Sequence, residues 1–306
     1  MNDEANSNGG VDSTWEEWTI DPVLVLNGNR HLTVTEATSV RMEGMVVSIR
    51  DLMAKGTGLV ASVIIDADHN PAVTQAIALK VSVNHWIIGP VTATEPELSV
   101  LGQPVAVDNK TVLKGVAKAS QLQVGDLVEV SGFADASNRI LASRVEWRSD
   151  PVPFWKLTGP VGDFVPGTSI TIGSQTVSLA GVSPVNCGSG PFIGDTVEIR
   201  ADPHQDFLPG GPLRSVFRVK CVSNSLEVPE YPGDSPALAE IEGMVFSIEF
   251  PMFMLGSQQV YITSGTKFSG GNPENLVKGA HLLIKGLLDS NSGILFAGQI
   301  SFFNDD

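Results

Sequence analysis

The 306 residues carry 34 acidic against 19 basic side chains, a formal charge of −15, with 42% hydrophobic and 17% charged residues. Such a chain is too rich in core-forming side chains to stay disordered, and its acidity repels phosphate backbones, which argues against nucleic acid as a general partner. The 31 Gly and 19 Pro are scattered without period, which excludes collagen, argues against long helices and predicts many turns.

Residues 1–18 are polar and acidic, without the basic stretch or apolar run of a signal peptide, and read as a flexible acidic tether. That composition suits a segment following a removed leader or a lipid-anchored cysteine, and equally an ordinary frayed terminus. No run approaches the roughly 18–20 apolar residues of a membrane helix, since the run from Val60 to Ile65 is cut short by Asp66 and Asp68.

A divergent first repeat is expected over 19–85. It opens on Val25-Leu26-Asn27-Gly28-Asn29-Arg30-His31-Leu32, where Asn-Gly is a strong hairpin signal. Gly44-Met45-Val46-Val47-Ser48-Ile49 reads as its turn-and-strand element and the stretch from Leu59 to Ile65 as its last strand, which leaves 67–85 as an insertion. A second register stands beside this one, because Glu43-Gly44-Met45-Val46 also resembles Glu242-Gly243-Met244-Val245, a first strand elsewhere.

Three fuller repeats follow, at 86–150, 155–222 and 238–303. Each begins with a strand, at Ile88-Gly89-Pro90-Val91, Leu157-Thr158-Gly159-Pro160-Val161 and Ile241-Glu242-Gly243-Met244-Val245. A hairpin comes next, at Leu101-Gly102-Gln103-Pro104-Val105, Ile172-Gly173-Ser174-Gln175-Thr176-Val177 and Leu255-Gly256-Ser257-Gln258-Gln259-Val260, in which Gly supplies the turn. A Gly turn then leads into a strand, at Val124-Gly125-Asp126-Leu127-Val128-Glu129-Val130, Ile193-Gly194-Asp195-Thr196-Val197-Glu198-Ile199 and Lys278-Gly279-Ala280-His281-Leu282. In the first two, Glu129 and Glu198 alternate with Val and Ile, which predicts a strand with one buried and one wet face. A polar turn and a final strand close each unit. Asp150-Pro151-Val152-Pro153 and the Pro-rich stretch 228–236 read as stiff spacers. The expected fold is all-β: tandem repeats of small five- to six-stranded OB-like barrels, which remove exposed sheet edges by closure.

The run Gly89-Pro90-Val91, Val100-Leu101-Gly102-Gln103-Pro104-Val105, Thr111-Val112, Val124-Gly125-Asp126-Leu127-Val128-Glu129-Val130-Ser131-Gly132 and Leu141-Ala142-Ser143-Arg144-Val145-Glu146 resembles a bacterial domain-of-unknown-function family. That family occurs as tandem small β-barrel repeats in exported proteins and lipoproteins. The third and fourth units match at the hairpin and Gly turn and depart elsewhere, with Ala201 in the place of Gly132 and Ala280 in the place of the turn Asp. The resemblance implies export to the periplasm, the outer membrane as a lipoprotein, or the cell surface, and it assigns no catalytic residue.

Chemistry-bearing motifs are sparse. His31, His69, His85, His204 and His281 are dispersed, and no pair has the spacing that puts two ligands on one face. Asp66-Ala67-Asp68-His69-Asn70 copies half a calcium loop, then places Pro71 where Gly is needed and Ile77 where the bidentate Glu belongs, so it reads as a polar turn. No catalytic set, metal site or cofactor is expected. Cys187 and Cys221 are either a disulfide in an oxidising compartment or two buried thiols. Trp15, Trp18, Trp86, Trp147 and Trp155 gather at unit boundaries and read first as packing at the seams. Trp86, Trp147 and Trp155 form the candidate set for stacking on a ligand. The apolar stretch 250–255 reads as core strand before exposed patch.

The sequence therefore points to a non-enzymatic, exported scaffold or interaction and adhesion protein of the bacterial envelope, meeting a protein or glycan partner at the cell surface. An oligosaccharide-binding module and a self-assembling surface or filament subunit are the alternatives.

Overall fold

The computed structural model describes residues 23–26, 30–65, 75–135, 137–188, 190–203, 207–222, 226, 237–289 and 291–303. The expected tether, Trp15, Trp18, the Asp66–Asn70 turn, His69, His204 and the 228–236 spacer lie outside them.

The architecture is the expected all-β string of OB-like units. In the second unit, strands β6 (Ile87–Ala93), β7 (Ser99–Val100), β8 (Gln103–Ala106), β9 (Val112–Lys114), β10 (Leu127–Ala134) and β11 (Ile140–Arg148) follow five strands of the first. Their pairing β10-β11-β8-β7-β6 is closed by a β10–β6 ladder, which makes a five-stranded barrel with β9 added beside β11. The third unit comprises β12 (Trp155–Val165), β13 (Ser169–Ile172), β14 (Gln175–Ser178), β15 (Thr196–Ala201) and β16 (Val216–Cys221). The fourth is a closed barrel in the order β17-β18-β19-β21-β20, from β17 (Ala237–Glu249), β18 (Met252–Leu255), β19 (Gln258–Ser269), β20 (His281–Leu288) and β21 (Leu295–Phe302).

Three local devices recur at the same place in the repeat. The Gly turn ties back to the first strand by a reciprocal pair of backbone hydrogen bonds: Gly125 N to Val91 O and Val91 N to Asp126 O, then Gly194 and Asp195 with Val161, then Gly279 and Ala280 with Val245, all at 2.8–2.9 Å. These glycines have φ of 97°, 95° and 86°, a region closed to most side chains. A bulge follows in the next strand, at Ser131/Gly132, Arg200/Ala201 and Lys285/Gly286. A Cβ on Gly132 or Gly286 would sit 2.2 Å from a carbonyl oxygen of the facing strand. The third device is a threonine clamp, in which Thr111 Oγ1 accepts from Asp108 N at 3.0 Å and donates to Ala142 O at 2.7 Å. Thr263, Thr266 and Ala297 repeat it in the fourth unit at 2.9 and 2.6 Å.

The same clamp settles the register of the first unit, where Thr38 Oγ1 accepts from Thr35 N at 2.9 Å and donates to Ala78 O at 2.6 Å. Strands β1 (Val23–Leu26), β2 (Arg30–Met42), β3 (Met45–Val46), β4 (Ala61–Ile65) and β5 (Gln75–Val83) form the order β1-β2-β5-β4, with β3 on the end of β2 and helix α1 (Ile49–Lys55) before β4. Both registers read from the sequence are corrected here. Gly44 belongs to the β2–β3 turn, Ala61–Ile65 is the penultimate strand, and β5 is the last strand rather than part of an insertion, because it pairs in parallel with β2 as β21 does with β19. Among the described residues this sheet lacks the first strand of the repeat and stays open between β1 and β4.

The second and third units are not beads on a spacer. Strand β12 pairs with β6 through Lys156↔Ile88 and Leu157↔Ile87, which makes one 11-stranded sheet. Val152, from the stretch expected to be a spacer, and Phe154 just after it are buried in a core that both units share. The first and fourth units have cores of their own. Of the apolar 250–255 stretch, Phe253 and Leu255 point into the fourth core, whereas Phe250 is 72% exposed at the turn before β18.

Candidate functional site: an ion-paired junction of three units

Polar side chains that a strand turns away from its own barrel must meet water or another unit. Where the first three units converge they meet one another. The β2–β3 turn brings Glu43 to this point with φ 53°, followed by Gly44 at φ 79°. A left-handed glutamate costs on the order of 1 kcal/mol relative to glycine. Glu43 N is held by Val83 O at 3.0 Å, and the side chain is 6% exposed.

Helix α1 supplies the second arm. Ser48 caps its start in a reciprocal box with Asp51, Leu52 anchors it in the first core, and Gly56 ends it. Its last carbonyls have no intrahelical partner. Arg144 of β11 satisfies one of them from the second unit, donating to Lys55 O at 2.7 Å, and also donates to Thr57 O just beyond the helix at 2.7 Å and to Glu146 Oε2 at 2.9 Å.

The junction has two lobes. In one, Glu129 Oε2 meets Lys55 Nζ at 3.0 Å and Glu129 Oε1 meets Arg148 at 2.9 Å, while Glu146 faces Lys114 at 3.3 Å and Lys55 at 3.9 Å. In the other, Lys156 Nζ lies 2.7 Å from Glu43 Oε2 and 3.3 Å from Glu198 Oε2. Arg200 Nε donates to Glu198 Oε1 at 2.9 Å, its NH2 group donates to Glu43 O at 3.1 Å, and its guanidinium stacks on Phe154 at 4.4 Å. His85 joins the lobes. Its backbone N donates to Glu43 Oε1 at 2.6 Å, its Nδ1 lies 3.1 Å from the same oxygen, and its Nε2 is 3.6 Å from Glu129 Oε2. An ionised carboxylate only accepts, so Nδ1 carries a proton.

These contacts fix the protonation of the acids. Burial works to raise the Glu43 carboxyl, but hydrogen bonding from His85 and the charge and hydrogen bond of Lys156 outweigh it and hold the pKa down at about 2. Glu146 and Glu198 follow the same pattern. Desolvation is overcome by Arg144, Lys55 and Lys114 at Glu146, and by Lys156 and Arg200 at Glu198, so both lie below the usual carboxylate range. Glu43, Glu146 and Glu198 are thus already ionised at neutral pH, with no proton to give, and are weak bases. The cluster has the inventory of a catalytic site and the geometry of a lock.

The structure corrects the reading of Glu129 and Glu198 as wet faces. Both lie in the junction, with side chains 8% and 13% exposed, because the face each turns from its barrel is covered by neighbouring units. Of the tryptophans, Trp155 is buried and packs edge-on to Phe207 at 5.4 Å, while Trp86 and Trp147 are half-buried against the same core. Cys187 and Cys221 are joined by a disulfide, with Cα atoms 5.0 Å apart. His281 bonds Glu242 at 2.9 Å and lies between the tilted rings of Phe303 and Phe133, at 4.4 and 5.4 Å, where the fourth unit meets the second. It borders an open cavity of about 350 Å³ with Phe302, Phe303 and Asn275. No group of three or more metal-ligating side chains converges among the described residues, and none of their helices is long and apolar enough to cross a membrane.

Sequence reasoning missed Glu43, Lys156, Arg144 and Arg200. The available signal was a charge inside an apolar run, as in Phe154-Trp155-Lys156-Leu157. It also missed a buried glutamine in each hairpin: Gln103, Gln175 and Gln258 are 0–2% exposed. Gln175 and Gln258 each donate to the loop before the last strand, at Gly211 O and Gly293 O, both 2.8 Å away.

Comparison with curated proteins returns no match. A sequence profile for a domain of unknown function, DUF5666, matches residues 88–146 and 242–301. These segments are the second and fourth barrels nearly from first strand to last, and the third unit shares their Gly turn, bulge and buried glutamine. The second and fourth units are thus similar to one domain of unknown function, which the chain carries twice.

Proposed function

We propose that the protein is a non-catalytic scaffold or interaction protein of the bacterial envelope, holding barrel surfaces at fixed positions for a protein or glycan partner. The observation that carries this reading is the junction. Its densest collection of acids, bases and a histidine is spent on pairing three units, each carboxylate facing two or more cations. A rigid body of that kind presents surfaces in constant register. The Cys187–Cys221 disulfide supports an oxidising compartment, since cytosolic thiols are kept reduced. Fractionation of cells making the natural full-length chain with a C-terminal tag, combined with thiol trapping, tests it. Oxidised protein in the envelope fraction is expected; a cytosolic protein with both thiols free to alkylate overturns the reading.

Self-assembly is the second reading, favoured by the open first sheet. Strands β1 and β4 are its edges, and Val23, Val25, Ile77 and Leu79 are exposed on β1 and β5, with Val23 and Ile77 in one row through Thr33. Edge strands with apolar faces template strand addition. Light scattering on the purified chain decides it: a monomer across the micromolar range removes this reading.

A further inference from the structure

We propose that the body formed by the second and third units carries a carboxylate-binding socket, lined by Lys156, Arg200 and the backbone amide of His85, and that Glu43 of the first unit is its internal ligand. The two cations of the socket come from the third unit alone, and the His85 amide from the link between β5 and β6. Lys156 and Arg200 are cross-strand partners on β12 and β15, and Arg200 is fixed by Glu198 and by stacking on Phe154. Their side chains are 1% and 11% exposed and share one other carboxylate, that of Glu198. Two buried cations facing a single acid require a further anion, because an uncompensated buried charge is strongly unfavourable.

Glu43 binds as a ligand does. Both carboxylate oxygens are engaged, Oε1 by His85 N at 2.6 Å and Oε2 by Lys156 at 2.7 Å, and its main-chain oxygen accepts from Arg200 at 3.1 Å. The turn presenting it adopts a conformation that suits glycine better than glutamate, so this position tolerates backbone strain for the sake of its side chain. The chemical class the socket takes is therefore a carboxylate delivered on a tight turn, and the first unit acts as the cover that occupies it.

The test is chemical rescue in the full-length chain. Glu43→Gly removes the carboxylate and leaves a residue for which φ 53° is unstrained. Melting temperature is followed in sodium formate and in sodium chloride at equal ionic strength. Wild type is expected to melt at the same temperature in both salts. The variant is expected to melt several degrees lower in chloride and to recover at least half of that loss in formate, saturably, as binding to the folded state alone requires. Adding Lys156→Met should abolish the formate response. An equal response of Glu43→Gly to both salts, or an unchanged response in the double variant, overturns the proposal. If Glu43→Gly does not fold in chloride, refolding yield is the readout: recovery in formate supports the socket, and failure in both salts overturns it.

Discussion

Removing the Lys156 ammonium is the sharpest test of the lock. Lys156→Met keeps the aliphatic stem in place while taking away the cation that Glu43 and Glu198 share at 2.7 and 3.3 Å. Arg200 is then left facing both carboxylates, 3.6 Å from Glu43 Oε2 and 2.9 Å from Glu198 Oε1, with His85 still bonded to Glu43 Oε1. Breaking a buried pair by deleting one partner costs about 3–5 kcal/mol, most of it the penalty of the acid left behind. Glu43→Gln alone leaves Lys156 with a single carboxylate, Glu198 at 3.3 Å. The double variant Glu43→Gln/Lys156→Met strands neither, so its loss should fall short of the sum of the single losses by about 1.5 kcal/mol or more. Urea unfolding at pH 7, followed by tryptophan fluorescence, reads all three because Trp155 is the neighbour of Lys156 in β12. A Lys156→Met variant within about 1 kcal/mol of wild type, or strict additivity in the double, would refute the argument that the junction holds the units together.

Acid should release the same lock. The folded pKa of Glu43, about 2, lies below its ordinary 4.5, so its stabilisation is full above pH 4.5 and is lost as pH falls toward 2. The loss is on the order of 3 kcal/mol, visible as a steep acid limb in urea midpoints that Glu43→Gln flattens. Replacing Cys187 and Cys221 by serine opens a loop with a sequence separation of 34 and should destabilise the third unit by about 3–4 kcal/mol, with reductant giving the same shift in wild type. Thr266→Val keeps the shape of the clamp but strands Ala297 O and Thr263 N, at a cost of about 1–2 kcal/mol in thermal unfolding. Gly286→Ala should exceed about 3 kcal/mol in the same assay, because its Cβ would meet Phe296 O at 2.2 Å.

The repeats were legible because their devices are local. The Gly turn and the bulge are set by residues within a few positions of one another, so Gly125, Gly194 and Gly279 announce the same element three times. The first unit hid its register because α1 replaces the short 3₁₀ turn at Ala119–Gln121 or Pro273–Asn275 that precedes the fourth strand elsewhere. The threonine clamp, present as Thr35 and Thr38, was the signal that would have placed it. The junction was illegible for a different reason. Alternation shows that Glu129 and Glu198 leave their own barrel, yet it says nothing about what they meet. Their partners are remote in sequence, with Glu43 and Lys156 separated by 113 positions. The buried glutamines were masked by their neighbours, since a polar residue after Gly in a hairpin reads as turn.

The junction gathers six cations, Lys55, Lys114, Arg144, Arg148, Lys156 and Arg200, around four carboxylates. Lys114 and Arg148 sit at its rim, 43% and 26% exposed, so the four enclosed cations, Lys55, Arg144, Lys156 and Arg200, balance the four carboxylates and the full −15 falls outside them. An approaching molecule therefore meets the whole acidity that the composition indicates. Four of the 19 basic residues face inward rather than toward a partner. Association with this surface should be favoured for cationic faces and weakened by salt, with the on-rate more sensitive to ionic strength than the residence time.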